Sequence, residues 1–364
     1  MSTPLLSTLR STVSPDIGLD LGTANTVVYE RGAGAIVCEP SLVAYDVRSG
    51  AIVAIGNAAR AMEGRAPRAV RVVRPLRRGT ISDFRAAQTL VARLVDRALS
   101  TRPRLAPRLV ASVPGCATDI ECKAVEQAVR AAGARYTNYV PQAVAAAVGA
   151  GLDVTATRAQ MIVDIGGGTT EIAILGTAGV IRLASLPIGG DTLDAAIAAR
   201  LRAERFVVGR PTSELVKCAL AYAGRAPGRA PFVASGIDVE RGEPAQREID
   251  ERFVGEAIAE VVESIVRAVG AVLSSAAPEI AADLIDSGIT MTGGGALIAG
   301  LAGEIGARMN VPATVASDPL LCAARGAGEI LGSPTLLERL RPHGDRFTRW
   351  YQSLRTGMRE SYSP

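Results

Sequence analysis

The segment "MIVDIGGGTTEIAIL", residues 161–175, constrains the fold more than any other part of the chain. An apolar strand runs into Asp164, three consecutive glycines and two threonines, and then resumes as apolar chain. Glycines in a row weaken a strand, so something there needs bare backbone. An earlier segment, "IGLDLGTANTVVY" (residues 17–29), has the same order: apolar residues, an Asp, a Gly, then Thr and a new strand. Two such hairpins, one per half, make an internal repeat and predict two similar halves.

The rest of the chain fits that division. Strand signals at residues 36–45, 51–55 and 109–113 alternate with helical stretches. "DFRAAQTLVARLVDRAL", from Asp83, has apolar residues at helical spacing, with Ser82 as a candidate N-cap. "DIECKAVEQAVRAAGA", from Asp119, opens on acids and ends on Gly133. In the second half, strands over 161–164, 171–175 and 180–186 precede a helix from about Asp191, and a longer helix is expected near 256–275. Residues 224–248 are rich in Gly, Pro and Arg around a short "FVASGIDVE" strand, which suggests a small peripheral subdomain. Alternating strands and helices predict an α/β architecture. With 364 residues, 48% hydrophobic and 21% charged, the chain can bury the core that two domains need.

Composition excludes several function classes. The net charge of +4 is too small to argue for nucleic acid, and no long basic stripe with interleaved aromatics precedes the C-terminal tail. Five scattered cysteines without a CxxC signal neither a zinc site nor a disulfide framework, and favour a reduced, cytoplasmic setting. The single histidine, His343, argues against a His-ligated metal or a Ser-His-Asp triad. Residues 1–15 lack the apolar core of a signal peptide, and no apolar run reaches the roughly 18 residues of a spanning helix.

A tight hairpin with inward-pointing backbone N–H groups is an anion nest, and glycine lets a phosphate approach it closely. The threonines add donors, and an Asp at the end of each first strand, Asp20 or Asp164, offers oxygens to Mg²⁺ directly or through water. One such turn alone is more often an ordinary hairpin. A third segment, "MTGGGALIAGL" (residues 291–301), is suited to packing backbone against a base and ribose. The chain has neither GxxxxGK[ST] nor a complete GxGxxG, which disfavours Walker and Rossmann sites. Two hairpins facing each other across a cleft close on one nucleotide.

These residues resemble the actin, sugar kinase and heat-shock chaperone superfamily, and within it the MreB/Mbl-type bacterial actins. The segments "LDLGTANTVVY", "EPSLVAY", "RPLRRGTISDF", "ASVPGCATDIECKAVEQAVRAAGA", "AAAVGAGL", "VDIGGGTTEIAIL", "GGDTLDAAI" and "TGGGALIAGL…VPATVASDPLLCAARGAG" occur in that family's order over about residues 16–332. The resemblance implies an actin-like ATPase fold: two ribonuclease-H-like halves around a nucleotide cleft, each with a small peripheral subdomain. It divides the chain into a tail (1–15), domain I (16–155), domain II (156–332, peripheral part about 190–255) and a basic tail (333–364). ATP and Mg²⁺ are the implied cofactors. Gly22, Thr23, Ala24 and Asn25 stand in the first phosphate hairpin; Gly166, Gly167, Gly168, Thr169 and Thr170 stand in the second. Asp20 and Asp164 would position Mg²⁺ through waters. Gly190 joins the set, Gly293, Gly294, Gly295 and Ala296 would back the adenosine, and Glu214 and Lys217 would reach it from one helix face, unless they are only a solvated ion pair. Asp164 and Thr170 are carried over as catalytic with Gln142, which stands where the family usually has a water-orienting Glu. A Gln can orient water but cannot take its proton, so hydrolysis is expected to be slow. "KCALA" (217–221) replaces the usual "KIEIG", which weakens the inference about base contacts.

The same resemblance implies a filament of identical subunits on the inner face of the cytoplasmic membrane, organising cell-wall synthesis and cell shape, with no nucleic-acid partner. Candidate membrane contacts are Leu5, Leu6 and Leu9; Leu105 among Arg102, Arg104 and Arg108; and the tail stripe of Phe347, Trp350, Tyr351, Leu354 and Met358. A frayed N-terminus and a tail packed on its own domain are the alternatives. For function, the alternatives are a paralogue that binds ATP without turnover and serves as a filament partner, and, more remotely, a kinase or a chaperone of the same superfamily.

Overall fold

The computed structural model describes residues 14–100, 105–176 and 179–339. The expected repeat is present as two sheets of one topology. In the first half, β1 (Asp16–Leu21), β2 (Asn25–Glu30) and β3 (Gly34–Pro40) form an antiparallel meander. β4 (Arg108–Val113) and β5 (Tyr136–Pro141) extend it in parallel on the far side of β1, giving the order β5-β4-β1-β2-β3. In the second half, β6 (Gln160–Ile165), β7 (Thr170–Gly176) and β8 (Gly179–Leu186) repeat the meander. β9 (Ile289–Thr292) and β10 (Ala313–Val315) repeat the parallel extension, giving β8-β7-β6-β9-β10. β1 and β6 are therefore equivalent central strands, each with an Asp as its penultimate residue and a glycine turn after its last.

Helices cover these sheets where the apolar spacing predicts. α1 (Phe84–Leu99) buries Ala87, Leu90, Val91, Leu94 and Val95. α2 (Asp119–Ala131) starts on a full capping box, with Thr118 accepting from the Glu121 N–H at 3.2 Å and donating back to the Glu121 carboxylate. α3 (Gln142–Gly149) follows β5 directly. In the second half come α4 (Gly190–Ala203), α5 (Arg210–Leu220) and α6 (Glu251–Ser274). The chain ends its main body with α7 (Cys322–Gly332).

Three expectations shift. The strand over 36–45 is two strands: β3 stops at Pro40, which has no N–H for the ladder. Val43–Asp46 joins a separate small sheet with Ile52–Ile55 and Val70–Val73. Asp83 rather than Ser82 caps α1, accepting from the Ala86 N–H at 3.0 Å, while Ser82 turns its hydroxyl to the Arg74 and Pro75 carbonyls. α6 begins at Glu251 because Asp250 caps it, accepting from the Phe253 N–H at 2.7 Å. The peripheral "FVASGIDVE" strand runs Phe232–Asp238 and pairs with Phe206–Val207 and Glu243–Ile249.

The two halves are joined through crossed helices. α3 packs Ala143, Val144, Ala146 and Ala147 with Ile162, Ala173 and Leu175 of the second sheet. α7 returns to the first half, where Ala327, Ile330 and Leu331 pack with Val110, Val140 and Ala145. The crossing is backbone against backbone: a methyl on Gly149 would lie 1.8 Å from the Cys322 carbonyl oxygen, and one on Gly326 would lie 1.8 Å from that of Ala145. Only glycine fits there. None of the five cysteines is in a disulfide. Among the described residues, no helix is long and apolar enough to cross a membrane.

Candidate functional site

The two glycine turns meet at the base of the cleft. The first, between β1 and β2, is pinned by Ser41, whose hydroxyl donates to the Gly22 carbonyl at 2.6 Å and whose N–H donates to the Ala24 carbonyl at 2.9 Å. Asn25 opens β2 opposite Pro40. The second is closed by the Gly166 N–H donating to the Thr169 carbonyl at 2.8 Å. The tips touch: a methyl on Gly167 would lie 2.6 Å from the Ala24 Cβ, and one on Gly168 would lie 2.4 Å from the Thr23 Oγ1. Gly190 and Asp191, the first residues of α4, donate their N–H groups to the Gly166 and Gly167 carbonyls at 3.0 and 2.8 Å. The second turn is thus locked to the start of α4, whose first N–H groups are spent on these carbonyls.

Beneath the tips lie the two aspartates. Asp164 is almost fully buried and accepts from the Gln142 Nε2 at 2.7 Å and the Thr292 hydroxyl at 2.9 Å. Burial pushes its carboxyl up, against the pull of those two donors. Asp20 accepts from the Ser112 hydroxyl at 2.8 Å, and burial first, then the charge of Asp164, pushes it up to about 7. Both carboxylates therefore face neutral donors only. Such a pair fits a divalent cation, which would replace the missing counter-charge. Among the described residues no group of three or more His, Cys, Asp or Glu gathers that could hold a metal ion by itself.

The third glycine segment lines the second half's side of the cleft. Gly293 takes a left-handed backbone (φ 77°) and passes so close to β6 that a methyl would lie 2.4 Å from the Ile165 carbonyl oxygen. Gly294 is exposed, while Gly295 and Ala296 are buried against Ile165 and the core. Of this set, Gly294 presents free backbone.

Other anticipated residues have different partners. Thr170 is fully buried, and its hydroxyl donates to the Ile188 carbonyl at 2.8 Å, holding the second hairpin to the segment before α4. Glu214 and Lys217 do share a face of α5, but they are not a pair. The Glu214 carboxylate accepts from Arg60 of the first half at 2.8 Å, across 154 residues of sequence. The Lys217 ammonium pairs with Asp194 at 2.8 Å and donates to the Gly190 carbonyl at 3.2 Å. Arg108, expected to flank Leu105 on a membrane-facing loop, turns inward: it grips Asp16 at 2.7 and 2.6 Å and donates to the Leu331 carbonyl. Asp16 is buried and needs that counter-charge, so Arg108 is withdrawn from the loop surface. Leu105 itself is 61% exposed. Residues 1–13, Arg102, Arg104 and the tail stripe of 347–358 lie outside the described residues.

Sequence reasoning missed three polar groups at the site. Ser112, at the end of β4, carries no local signal. Thr292 does, because it immediately precedes the third glycine run. Glu171, on β7, is fully buried, takes the Ser185 hydroxyl and receives the Gly115 N–H of the first half at 2.9 Å. Burial pushes it up to about 7.

Comparison with known proteins agrees with this architecture. The family model described as MreB/Mbl protein matches residues 14–339. The cell shape-determining protein MreB of Pasteurella multocida (strain Pm70) is 37% identical over 336 residues, covering 90% of this chain and 95% of that one. The cell shape-determining protein Mbl of Bacillus subtilis (strain 168) is 34% identical over 317 residues, covering 87% and 95%. Among solved structures, MreB5 of Spiroplasma citri bound to AMPPNP superposes with a TM-score of 0.82 at 30% identity, covering 90% of this chain and 97% of that one. A MamK double helical filament superposes at 0.72 with 22% identity, covering 87% and 98%, a likeness of fold alone. With its duplicated sheet, paired glycine hairpins and relatives that match it nearly end to end, the chain belongs to the MreB/Mbl family of actin-like proteins.

Proposed function

We propose that this chain binds Mg²⁺-ATP between its two hairpins and assembles with copies of itself into filaments that determine cell shape at the inner face of the cytoplasmic membrane, alongside the wall-synthesis machinery. The observation that carries the nucleotide reading is the contact of the two glycine tips directly above Asp20 and Asp164. Gly22, Thr23, Ala24 and Asn25 on one side and Gly167 to Thr169 on the other supply backbone N–H donors to the phosphate chain, with Gly166 closing the second turn, while exposed Gly294 offers backbone to the adenosine. Asp20 and Asp164 would hold Mg²⁺, which when bound neutralises the phosphates and restores full ionisation of both carboxylates. The cell-shape role is supported by the relatives, which are named for it, and the filament and membrane roles by the resemblance of the sequence to that family.

One observation favours slow or absent turnover. Gln142 gives an amide N–H to Asp164, and its Oε1, the one acceptor a glutamine side chain has, can take a hydrogen bond from an attacking water. It orients that water by one hydrogen bond and accepts no proton. The test combines pelleting and phosphate release on purified protein with ATP, ADP or no nucleotide, with and without vesicles of anionic lipid. Wild type should bind a fluorescent ATP analogue in a Mg²⁺-dependent manner and pellet with ATP, and Asp164→Ala should lose that binding. Equal binding by the variant removes the two-hairpin site. Phosphate release that falls in Gln142→Ala assigns the water to Gln142; release indistinguishable from background in wild type supports the non-hydrolysing filament partner.

A further inference from the structure

The segment "PLRRGTI" carries a device that the nucleotide site does not yet account for. Leu76 and Arg77 pair with Ile81 and Thr80 in a minimal hairpin, leaving Arg78 and Gly79 as its two-residue turn. Both are left-handed, with φ of 49° and 78°. That is the geometry of a type I′ turn, whose first position favours Asn, Asp or Gly. An arginine there costs backbone energy, because its Cβ crowds the following carbonyl. A residue kept at such a cost invites a functional reason.

The location supplies one. The tip of this turn is wedged between the two glycine hairpins. The Gly79 N–H donates to the Thr23 hydroxyl oxygen of the first at 2.9 Å. A methyl on Gly168 of the second would lie 2.9 Å from the Arg78 Cα, and one on Gly79 would lie 2.8 Å from the Thr169 Cγ2. The turn therefore touches both halves of the cradle at once. Arg78 is exposed and has no ion-pair partner among the described residues. With its Cα beside Gly168, an arginine side chain is long enough to reach past both tips, where the nucleotide reading puts the end of the phosphate chain. The carboxylates beneath add no positive charge. A guanidinium can bind the terminal phosphate through two parallel N–H donors, which a backbone nest cannot do for the outermost oxygens.

We propose that Arg78 is the cation that recognises the terminal phosphate, making this turn the element that distinguishes a nucleoside triphosphate from a diphosphate. The assignment rests on the nucleotide reading of the cleft and adds its specificity. Because the turn belongs to the first half and also leans on the second, its hold on a terminal phosphate ties both halves to the state of the nucleotide.

The experiment measures Kd for fluorescent ATP and ADP analogues with Mg²⁺, in wild type, Arg78→Ala, Arg78→Lys and Arg77→Ala. Arg77 is an exposed neighbour on the ladder and serves as the charge control. Wild type should prefer the triphosphate. Arg78→Ala should lose roughly ten- to a hundredfold in ATP affinity, as expected for a charge-assisted contact, with ADP affinity within about twofold of wild type. Arg78→Lys should fall between, since an ammonium is a point charge without the fork. Arg77→Ala should behave as wild type. Retained ADP binding also shows that the variant is folded. Equal loss for both nucleotides, no loss for either, or the same loss in Arg77→Ala overturns the assignment. Failure of wild type to bind either nucleotide overturns the cleft reading itself.

Discussion

Glu171 shows how much a single side chain can carry at the junction of two halves. It stands on β7 opposite Asp164 in the β6–β7 ladder, yet its partners are Ser185 of β8 and the Gly115 N–H of the first half. Burial raises its carboxyl from 4.5 to about 7, so the folded protein holds a proton that the unfolded chain releases near 4.5. Linkage then gives the sign: this group's contribution is complete below about pH 4.5 and falls as the pH rises towards 7, then levels off. Glu171→Gln keeps an acceptor oxygen for the Gly115 N–H, can donate its amide N–H to the Ser185 oxygen in place of the bond Ser185 now donates, and carries no charge. Its melting temperature should gain on wild type as pH rises from about 4.5 to 7, by the equivalent of roughly 3 kcal/mol at most. Parallel melting curves across that range would mean that Glu171 does not titrate in the fold.

At the scale of elements, the crossing of α3 and α7 decides how the halves are held. Small residues at Ala145, Gly149, Cys322 and Gly326 bring two backbones into direct contact, and the sequence shows them only as runs of Ala and Gly. Gly326→Ala would place a methyl 1.8 Å from the Ala145 carbonyl oxygen, which forces the helices apart. Overpacking of this kind costs about 1–3 kcal/mol or more. The melting temperature should fall by several degrees, whereas Gly303→Ala in the helix Leu301–Met309, where an added methyl meets nothing within 4 Å, should leave it level or raise it. Equal melting points for Gly326→Ala and wild type would show that the helices do not cross in contact.

Over the whole molecule, the Arg60–Glu214 pair spans the cleft between the small helix Gly56–Arg60 of the first half and α5 of the second. With side chains 33% and 21% exposed it is worth no more than about 1 kcal/mol, enough to bias closure but not to enforce it. Arg60→Ala should speed release of a bound fluorescent nucleotide by up to about fivefold, and added salt should speed wild type but not the variant. Unchanged release in both tests would leave the pair a surface contact with no bearing on the cleft.

The sequence by itself determined the duplicated halves, the two glycine hairpins, the paired Asp20 and Asp164, and the helices whose caps and apolar spacing are local. Those properties repeat within a few residues, so hydrophobic periodicity and turn chemistry are enough to read them. It was also enough to put Glu214 and Lys217 on one helix face, because helical spacing is local too. Only the tertiary structure decided their partners: Arg60 for Glu214, Asp194 for Lys217, Asp164 for the Gln142 amide, Asp16 for Arg108 and the Ile188 carbonyl for Thr170. The same holds for Arg78, an ordinary basic residue in the sequence whose place between two hairpins depends on its neighbour Gly79 folding back onto Thr23, 56 positions earlier in the chain. A buried polar group must be satisfied by whatever the fold brings near it, and what comes near is set by the closing of two sheets around a cleft, not by the neighbours along the chain.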